Sequence, residues 1–210
     1  MKVFLDFDDT VFNTRDFVQA FGSVFLRYGV PEDVYTATHE QSYRSIGEAL
    51  PMYDEELQLR HIEALQQGFD IEGIREETQV FLQDTSRFVF PDMHSFLAKS
   101  QAKGVELYLL SFGGSLFQNK KIAGAGLERY FKEVFVVAGK KYVPIRDVMR
   151  DAAEPLWFFD DRAEYIEDVK GNIASVKSVQ VMRPKRRYAD EKSVLADFCI
   201  SDFHTLTEAL

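Results

Sequence analysis

The sequence predicts an α/β protein, with a parallel sheet, helices on both of its faces and an all-helical segment inserted after the first strand. Two observations lead there. Short apolar runs rich in β-formers alternate with helical periodicities through the second half of the chain, the pattern of parallel strands joined by crossover helices. From Glu32 to about Arg87, by contrast, every readable stretch is helical and no strand is expected. The expected division is a sheet domain over 1–13 and 88–210, with a helical cap over 14–87.

Val3-Phe4-Leu5 opens the chain as a buried strand and runs into Asp6, Asp8 and Asp9. Asn13 or Thr14 caps a helix in which Phe17, Phe21, Val24 and Phe25 share one face, with Gly29 at its stop. Pro31 opens the next segment. Helices are expected over 33–45, 54–67 and 71–85, divided by turn signals at Gly47, Pro51 and Gly68. Pro91 starts a helix that runs to Lys103 and closes at Gly104. A second strand covers 105–110 and delivers Ser111, followed by Phe112-Gly113-Gly114. A helix over 116–125 leads to a strand at 134–137 that finishes at Gly139-Lys140-Lys141. A short helix near 145–150 precedes a strand at 156–159 that ends in Asp160-Asp161. A last helix, 163–169, stops at Gly171, and 179–182 makes a fifth strand. There is no internal repeat and no low-complexity segment.

Composition narrows the functional classes. With 210 residues, 46% hydrophobic and 28% charged, the chain has the make-up of an ordinary globular protein with a substantial core. A net charge of −9 and a pI near 5.0 exclude general binding to nucleic acid or to anionic membranes, which needs a basic field. No apolar run approaches the length of a membrane span. Cys199 is the only cysteine, so neither an intrachain disulfide nor a thiolate zinc site is expected, and it reads as a small buried hydrophobe. No cationic leader precedes the first strand, and the expected setting is reducing and cytoplasmic.

The chemistry collects where strands end. On a continuing strand Asp6 and Asp8, two residues apart, point the same way. Two converging like charges need a shared proton or a cation, and a hard divalent ion with oxygen ligands, Mg²⁺ above all, meets that need. Four strands end in polar groups: Asp6/Asp8, Ser111, Lys140/Lys141 and Asp160/Asp161. A parallel sheet puts all of them on one edge, the edge where ligands bind in open α/β sheets. Carboxylates alone describe a metal site. With a hydroxyl, glycine-flanked amides and a lysine they describe a site for phosphate.

Those residues resemble, over essentially the whole chain, the motifs of the haloacid dehalogenase-like superfamily of phosphatases and phosphomutases. Asp6-Phe7-Asp8-Asp9-Thr10 is similar to the Asp-x-Asp-x-Thr of its first motif, and Ser111 after Tyr108-Leu109-Leu110 to its second. Lys140 or Lys141 fills the third, and Phe158-Phe159-Asp160-Asp161 is similar to the fourth. The resemblance implies a Rossmann-like core, and the helical insert is placed like the family's C1-type cap. It also implies that Asp6 is a nucleophile that takes a phosphoryl group, and that Asp8 is first the acid for the leaving oxygen and then the base for water. Mg²⁺ is implied on the Asp6 carboxylate, the Asp8 backbone carbonyl and the fourth-motif acids, with Asp161 favoured as direct ligand and Asp160 as its partner. Ser111 is implied as a hydrogen-bond donor to the transferring phosphoryl, and a lysine as its neutralising charge. Lys141 is favoured over Lys140, because Pro144 completes a Lys-x-x-Pro pattern. The fourth motif departs from the common form in lacking a further Asp four residues on, where Glu164 is the nearest carboxylate.

The function so implied is a Mg²⁺-dependent phosphatase that hydrolyses a small phosphorylated metabolite through an aspartyl phosphate. Its rivals are a phosphomutase with the same residues and a catalytically silent protein that binds metal or phosphate. Asp8 argues against the dehalogenase branch, since a departing halide needs no acid. Lys185-Arg186-Arg187 reads as an exposed, solvated cluster. Arg44, His39, His61 and Arg60 lie in the insert as candidate contacts to a leaving group, with none singled out. The 19 phenylalanines read as core rather than as a stacking platform.

Overall fold

The computed structural model describes residues 1–44, 52–65, 68–149, 155–184, 186–188 and 191–204. Its chain order begins β1 (Lys2–Leu5), α1 (Thr14–Arg27), α2 (Glu32–Gln41), β2 (Tyr43–Arg44), β3 (Met52–Tyr53), α3 (Glu55–Ala64) and α4 (Ile71–Gln83). It continues α5 (Pro91–Ala102), β4 (Glu106–Phe112), α6 (Ser115–Gly124), β5 (Glu133–Val137), α7 (Tyr142–Met149), β6 (Leu156–Asp160), α8 (Ala163–Asn172), β7 (Lys177–Val181) and β8 (Phe198–Ile200). Six strands form one sheet in the order β5-β4-β1-β6-β7-β8, and every pairing in it is parallel. This is the expected α/β architecture.

Period-two alternation divides the core into two layers. Val3 and Leu5 of β1, Leu107 and Leu109 of β4 and Phe159 of β6 face one way, onto Met93, Phe96 and Leu97 of α5. Phe4, Tyr108, Leu110 and Phe158 face the other, onto Ile145 of α7 and Ile166 and Val169 of α8. Both faces of the central strands are thus dry, which is why those strands read as unbroken apolar runs. Parallel register sets Leu5 beside Leu109 on one side and Phe159 on the other. The residues that follow therefore emerge together.

The insert between β1 and β4 begins with a well-specified helix. Asn13 caps α1 by accepting a hydrogen bond from the Asp16 amide at 3.1 Å. Its buried stripe of Phe17, Phe21, Val24 and Phe25 joins the same apolar cluster as β1. The remaining helices carry Asp caps at α3 and α4, where Asp54 and Asp70 accept from Leu57 and Gly73 at 2.9 Å.

Four local expectations are corrected. The insert is not wholly helical: α2 ends at Gln41, and β2 and β3 pair as a short antiparallel ribbon, with Tyr43 opposite Tyr53. The Ser42 hydroxyl donates to the Thr38 carbonyl at 2.6 Å and closes the helix, while aromatic cross-strand packing favours the ribbon. The second correction is a sixth strand, β8, three residues long and too short to show a period. It holds Cys199 half-buried at the sheet edge instead of in the core. The third is Gly171, which lies inside α8 and does not end it. The fourth is Ser111, which lies within β4, since that strand continues to Phe112. The readings at Ser45, Gly47, Pro51, Gln67, Arg150 and Lys185 fall outside the described residues. Among the described residues no helix is long and apolar enough to cross a membrane.

Candidate active site

β1 stops at Leu5, and the Asp6 amide donates to the Phe159 carbonyl at 2.9 Å, which keeps Asp6 level with Asp160. Asp6, Asp160 and Asp161 are 4%, 0% and 4% exposed, and each offers a carboxylate oxygen within 4.8 Å of the others. Acids from the two ends of the chain meet on adjacent strands. Lys141, 1% exposed at the start of α7, reaches across with its Nζ 2.5 Å from Asp6 Oδ1 and 2.7 Å from Asp160 Oδ2. The backbone amide of Arg162 donates to the other Asp160 oxygen at 2.9 Å. The Asp161 carboxylate accepts no hydrogen bond from a described residue.

Three carboxylates against one ammonium leave two negative charges in a dry setting. Burial pushes the Asp6 carboxyl up to about 8; Lys141 opposes the rise, and Asp160 and Asp8 add to it. Burial again, with Asp160 and Asp6, pushes Asp161 up to about 9, and burial raises Asp160 as well. Lys141 behaves oppositely: burial works against its charge, but Asp160 and Asp6 outweigh it and hold the ammonium protonated. An all-oxygen donor set short of two positive charges, with one carboxylate unsatisfied, fits a hard divalent cation such as Mg²⁺.

Asp8 departs from the expectation for a continuing strand. The chain turns at Asp9, whose φ of 53° is in the left-handed region, and both Val11 and Phe12 donate to the Phe7 carbonyl at 3.0 and 2.9 Å. The Asp8 carboxylate therefore opens on the same cavity as Asp6 but is bound by a different set of donors. Lys121 Nζ and Thr14 Oγ1 donate to its Oδ1 at 2.6 and 2.5 Å, and Gln118 Nε2 donates to its Oδ2 at 2.7 Å. Burial disfavours its charge, yet Lys121 and Arg187 outweigh that and hold the carboxyl well below the usual carboxylate range.

Ser111 is fully buried behind this layer, and its Oγ accepts from Gln118 Nε2 at 2.7 Å. Of the two lysines, Lys141 is in the site. Lys140 is 64% exposed and pairs with Asp168 at 3.0 Å on the surface. Glu164 stands at the cavity rim, 57% exposed and paired with Arg162 at 3.0 Å.

Sequence reasoning missed Lys121, Gln118 and the arginines after β7. Lys121 and Gln118 sit on α6, where apolar and polar residues are barely segregated, and nothing local marks them as facing Asp8. Arg187 was expected to be solvated. Its amide and Nε instead donate to the buried Asp9 carboxylate at 3.2 and 3.0 Å. Arg183, 4% exposed, donates from Nε and Nη2 to the Thr10 carbonyl at 3.2 and 2.9 Å, and from Nη1 to Asp92 at 2.7 Å. The two arginines fasten the loop that carries Asp6 and Asp8. Asp6, Asp8, Asp161, Lys141, Lys121 and Arg187 line one cavity of about 470 Å³, covered by α1, α2 and the ribbon, while the fully buried Asp160 does not reach its surface.

The family model for haloacid dehalogenase-like hydrolases matches residues 3–177. The chain belongs to that family of hydrolases. A phosphoserine phosphatase of Thermus thermophilus is 34% identical over 76 residues, which are 35% of this chain and 30% of that protein. The chain thus matches under a third of that relative's length. Among solved structures, a protein of Burkholderia xenovorans assigned as a haloacid dehalogenase-like hydrolase superposes with a TM-score of 0.72 at 20% identity, over 99% of this chain and 95% of that one. A Thermotoga maritima protein assigned as a beta-phosphoglucomutase gives 0.65 at 20% identity, over 100% and 99%. The L-2-haloacid dehalogenase of Xanthobacter autotrophicus gives 0.64 at 18%, over 99% and 96%. One fold thus serves differently named proteins, and the residues of the site have to decide the chemistry.

Proposed function

We propose that this hydrolase is a Mg²⁺-dependent phosphatase of a small phosphorylated metabolite, working through an aspartyl phosphate in a cytoplasmic setting. The observation that carries the reading is that Asp6, Asp161 and Lys141 share one cavity with a second acid, Asp8, and that the buried Asp160 completes the cluster through Lys141. Residues 1–13 and 88–210 form the catalytic core in this reading, and 14–87 the cap that excludes water from it. Neither nucleic acid nor membrane is a partner.

Mg²⁺ would be held by the Asp6 and Asp161 carboxylates and the Asp8 backbone carbonyl, with Asp160 beside them, and when bound it supplies the positive charge that lets two anions approach. Lys141 holds one Asp6 oxygen, which leaves the other to attack phosphorus. As the phosphorus–oxygen ester bond breaks, the leaving oxygen takes a proton from Asp8. A phosphoryl dianion arriving beside Asp8 raises its proton affinity from the depressed resting value, so substrate itself prepares the acid. Asp8 then takes a proton from the water that attacks the aspartyl phosphate, and inorganic phosphate leaves. Lys121, Thr14 and Gln118 aim the Asp8 carboxylate. Ser111, fully buried and outside the cavity lining, accepts from Gln118 and so acts on the site by fixing the amide that holds Asp8.

Asp8 also separates this reading from dehalogenation, since a halide leaves without a proton. The test is phosphate release from a panel of phosphate esters with and without Mg²⁺, in wild type, Asp6→Asn and Asp8→Asn. Metal-dependent release, abolished in Asp6→Asn and slowed by roughly 10²–10⁴-fold in Asp8→Asn, is expected. Isomerisation of sugar phosphates without release would make it a mutase. Silence across the panel would make it a binding protein.

A further inference from the structure

The end of the cavity away from the carboxylates is built from rings. Tyr35 and His39 come from α2, Tyr43 and Tyr53 from the ribbon, and Phe117 from α6, and all five line the cavity. His39 is the centre of this wall: its ring is stacked 4.9 Å from Tyr53, edge-on 5.4 Å from Tyr43, and tilted by 33° at 5.7 Å from Tyr35. Phe117 meets Tyr53 edge-on at 4.8 Å.

The wall is held rigid from behind. The Tyr53 hydroxyl donates to Oε1 of the fully buried Gln58 at 2.6 Å, and Gln58 donates in turn to the Tyr35 carbonyl and the Thr38 hydroxyl at 3.2 and 3.3 Å. The loop after β4 presses on it too, because a Cβ on Gly114 would lie 3.3 Å from the Tyr53 carbonyl. Yet the wall is not closed, since Tyr43 keeps 44% of its surface exposed between His39 and Tyr53. Burial holds the His39 imidazole below its ordinary pKa, so it is neutral at neutral pH. Its ring nitrogens make no hydrogen bond to a described residue, which leaves one donor and one acceptor for a ligand.

Charge around the wall bears on the ligand as well. The carboxylates that line the cavity are Asp6, Asp8 and Asp161 at the sheet edge and Glu164 on α8, and none comes from the aromatic end. The charges that reach the wall are of both signs, Glu40 and then Arg187 at His39 and Arg187 and then Asp8 at Tyr43, so neither a cation nor an anion is singled out there. We infer that the alcohol portion of the substrate carries a flat, uncharged ring that stacks in this aromatic box while its phosphate sits at Asp6. The inference deepens the phosphatase reading and rests on it for the placing of the phosphate. Flat rings gain from stacked and edge-on contacts that a puckered ring of equal apolar area does not make.

Binding separates the two claims, because it needs no turnover. Calorimetry with Mg²⁺ present would compare benzylphosphonate with cyclohexylmethylphosphonate, ethylphosphonate and 2-(trimethylammonio)ethylphosphonate. Benzylphosphonate is expected to bind about tenfold tighter than the cyclohexylmethyl compound. That ratio should fall to near one in Tyr43→Ala and in His39→Ala. Equal affinities in wild type, tightest binding of the trimethylammonium compound, no binding of any, or a ratio untouched by both substitutions would overturn the inference. Benzylphosphonate preference without hydrolysis of benzyl phosphate would instead sink the phosphatase reading and leave the ring box standing.

Discussion

Lys141 and Lys140 are neighbours in sequence with opposite fates. Lys141 is buried between Asp6 and Asp160, while Lys140 reaches out to Asp168 in solvent. Removing one partner of a buried ionic cluster strands the others, so Lys141→Ala is expected to cost about 3–5 kcal/mol. Lys140→Ala is expected to stay within about 0.5 kcal/mol of wild type, as surface substitutions do. Urea denaturation of both variants checks this, and equal losses would place the two lysines wrongly. The sequence favoured Lys141 only through Pro144 three residues later. It held no sign of Lys121, because the side of α6 that meets Asp8 depends on where the helix crosses the end of β1. Arg187 was hidden for the same reason: a basic triplet after a strand looks solvated until the left-handed turn at Asp9 brings a buried carboxylate beneath it.

At the scale of elements, α4 and α6 touch through a glycine. A Cβ built on Gly124 would lie 2.2 Å from the Leu82 carbonyl, a backbone atom that cannot swing aside. Gly124→Ala is therefore expected to destabilise by roughly 1–3 kcal/mol through overpacking. Gly171 is the opposite case, inside α8 with open space around its missing Cβ. Gly171→Ala is expected to stabilise by about 0.5–1 kcal/mol, since the helix gains an alanine without a clash. Thermal unfolding of the pair gives the signs, and a stabilised Gly124→Ala would contradict the packing described. The strands were legible because both faces of β1, β4 and β6 are dry and their sequences run apolar. The ribbon and β8 were not, since two or three residues carry no period and exist only through the partner they pair with.

Across the whole molecule, the C-terminal segment locks the first strand's loop to α5 through Arg183, which joins the Thr10 carbonyl to Asp92. Burial works against the Asp92 charge, but hydrogen bonds from Arg183 and the Phe203 amide outweigh it and hold its carboxyl below the usual carboxylate range. A depressed folded-state pKa gives stability that is present above the unfolded-state value and is lost as pH falls through the folded one. Asp92→Ala is thus expected to cost about 3–5 kcal/mol at neutral pH. The gap from wild type should narrow as pH drops below about 4, where the unfolded carboxyl protonates. Denaturant midpoints at several pH values measure it, and a gap that widens in acid would refute the assignment. The order of strands and acids let the fold and the outline of the site be read from the sequence. The clamp joins residues 173 positions apart and could not be.

The central claim is that Asp6 attacks phosphorus with Asp8 as its partner acid and base. It is tested most directly by incubating Asp8→Asn protein and Mg²⁺ with radiolabelled acetyl phosphate, then quenching in acid and mapping the labelled peptide. Label is expected on the peptide that holds Asp6, absent when Mg²⁺ is withheld and absent from the Asp6→Asn, Asp8→Asn double variant. Label on another residue, or label that survives the loss of Asp6, would contradict the account.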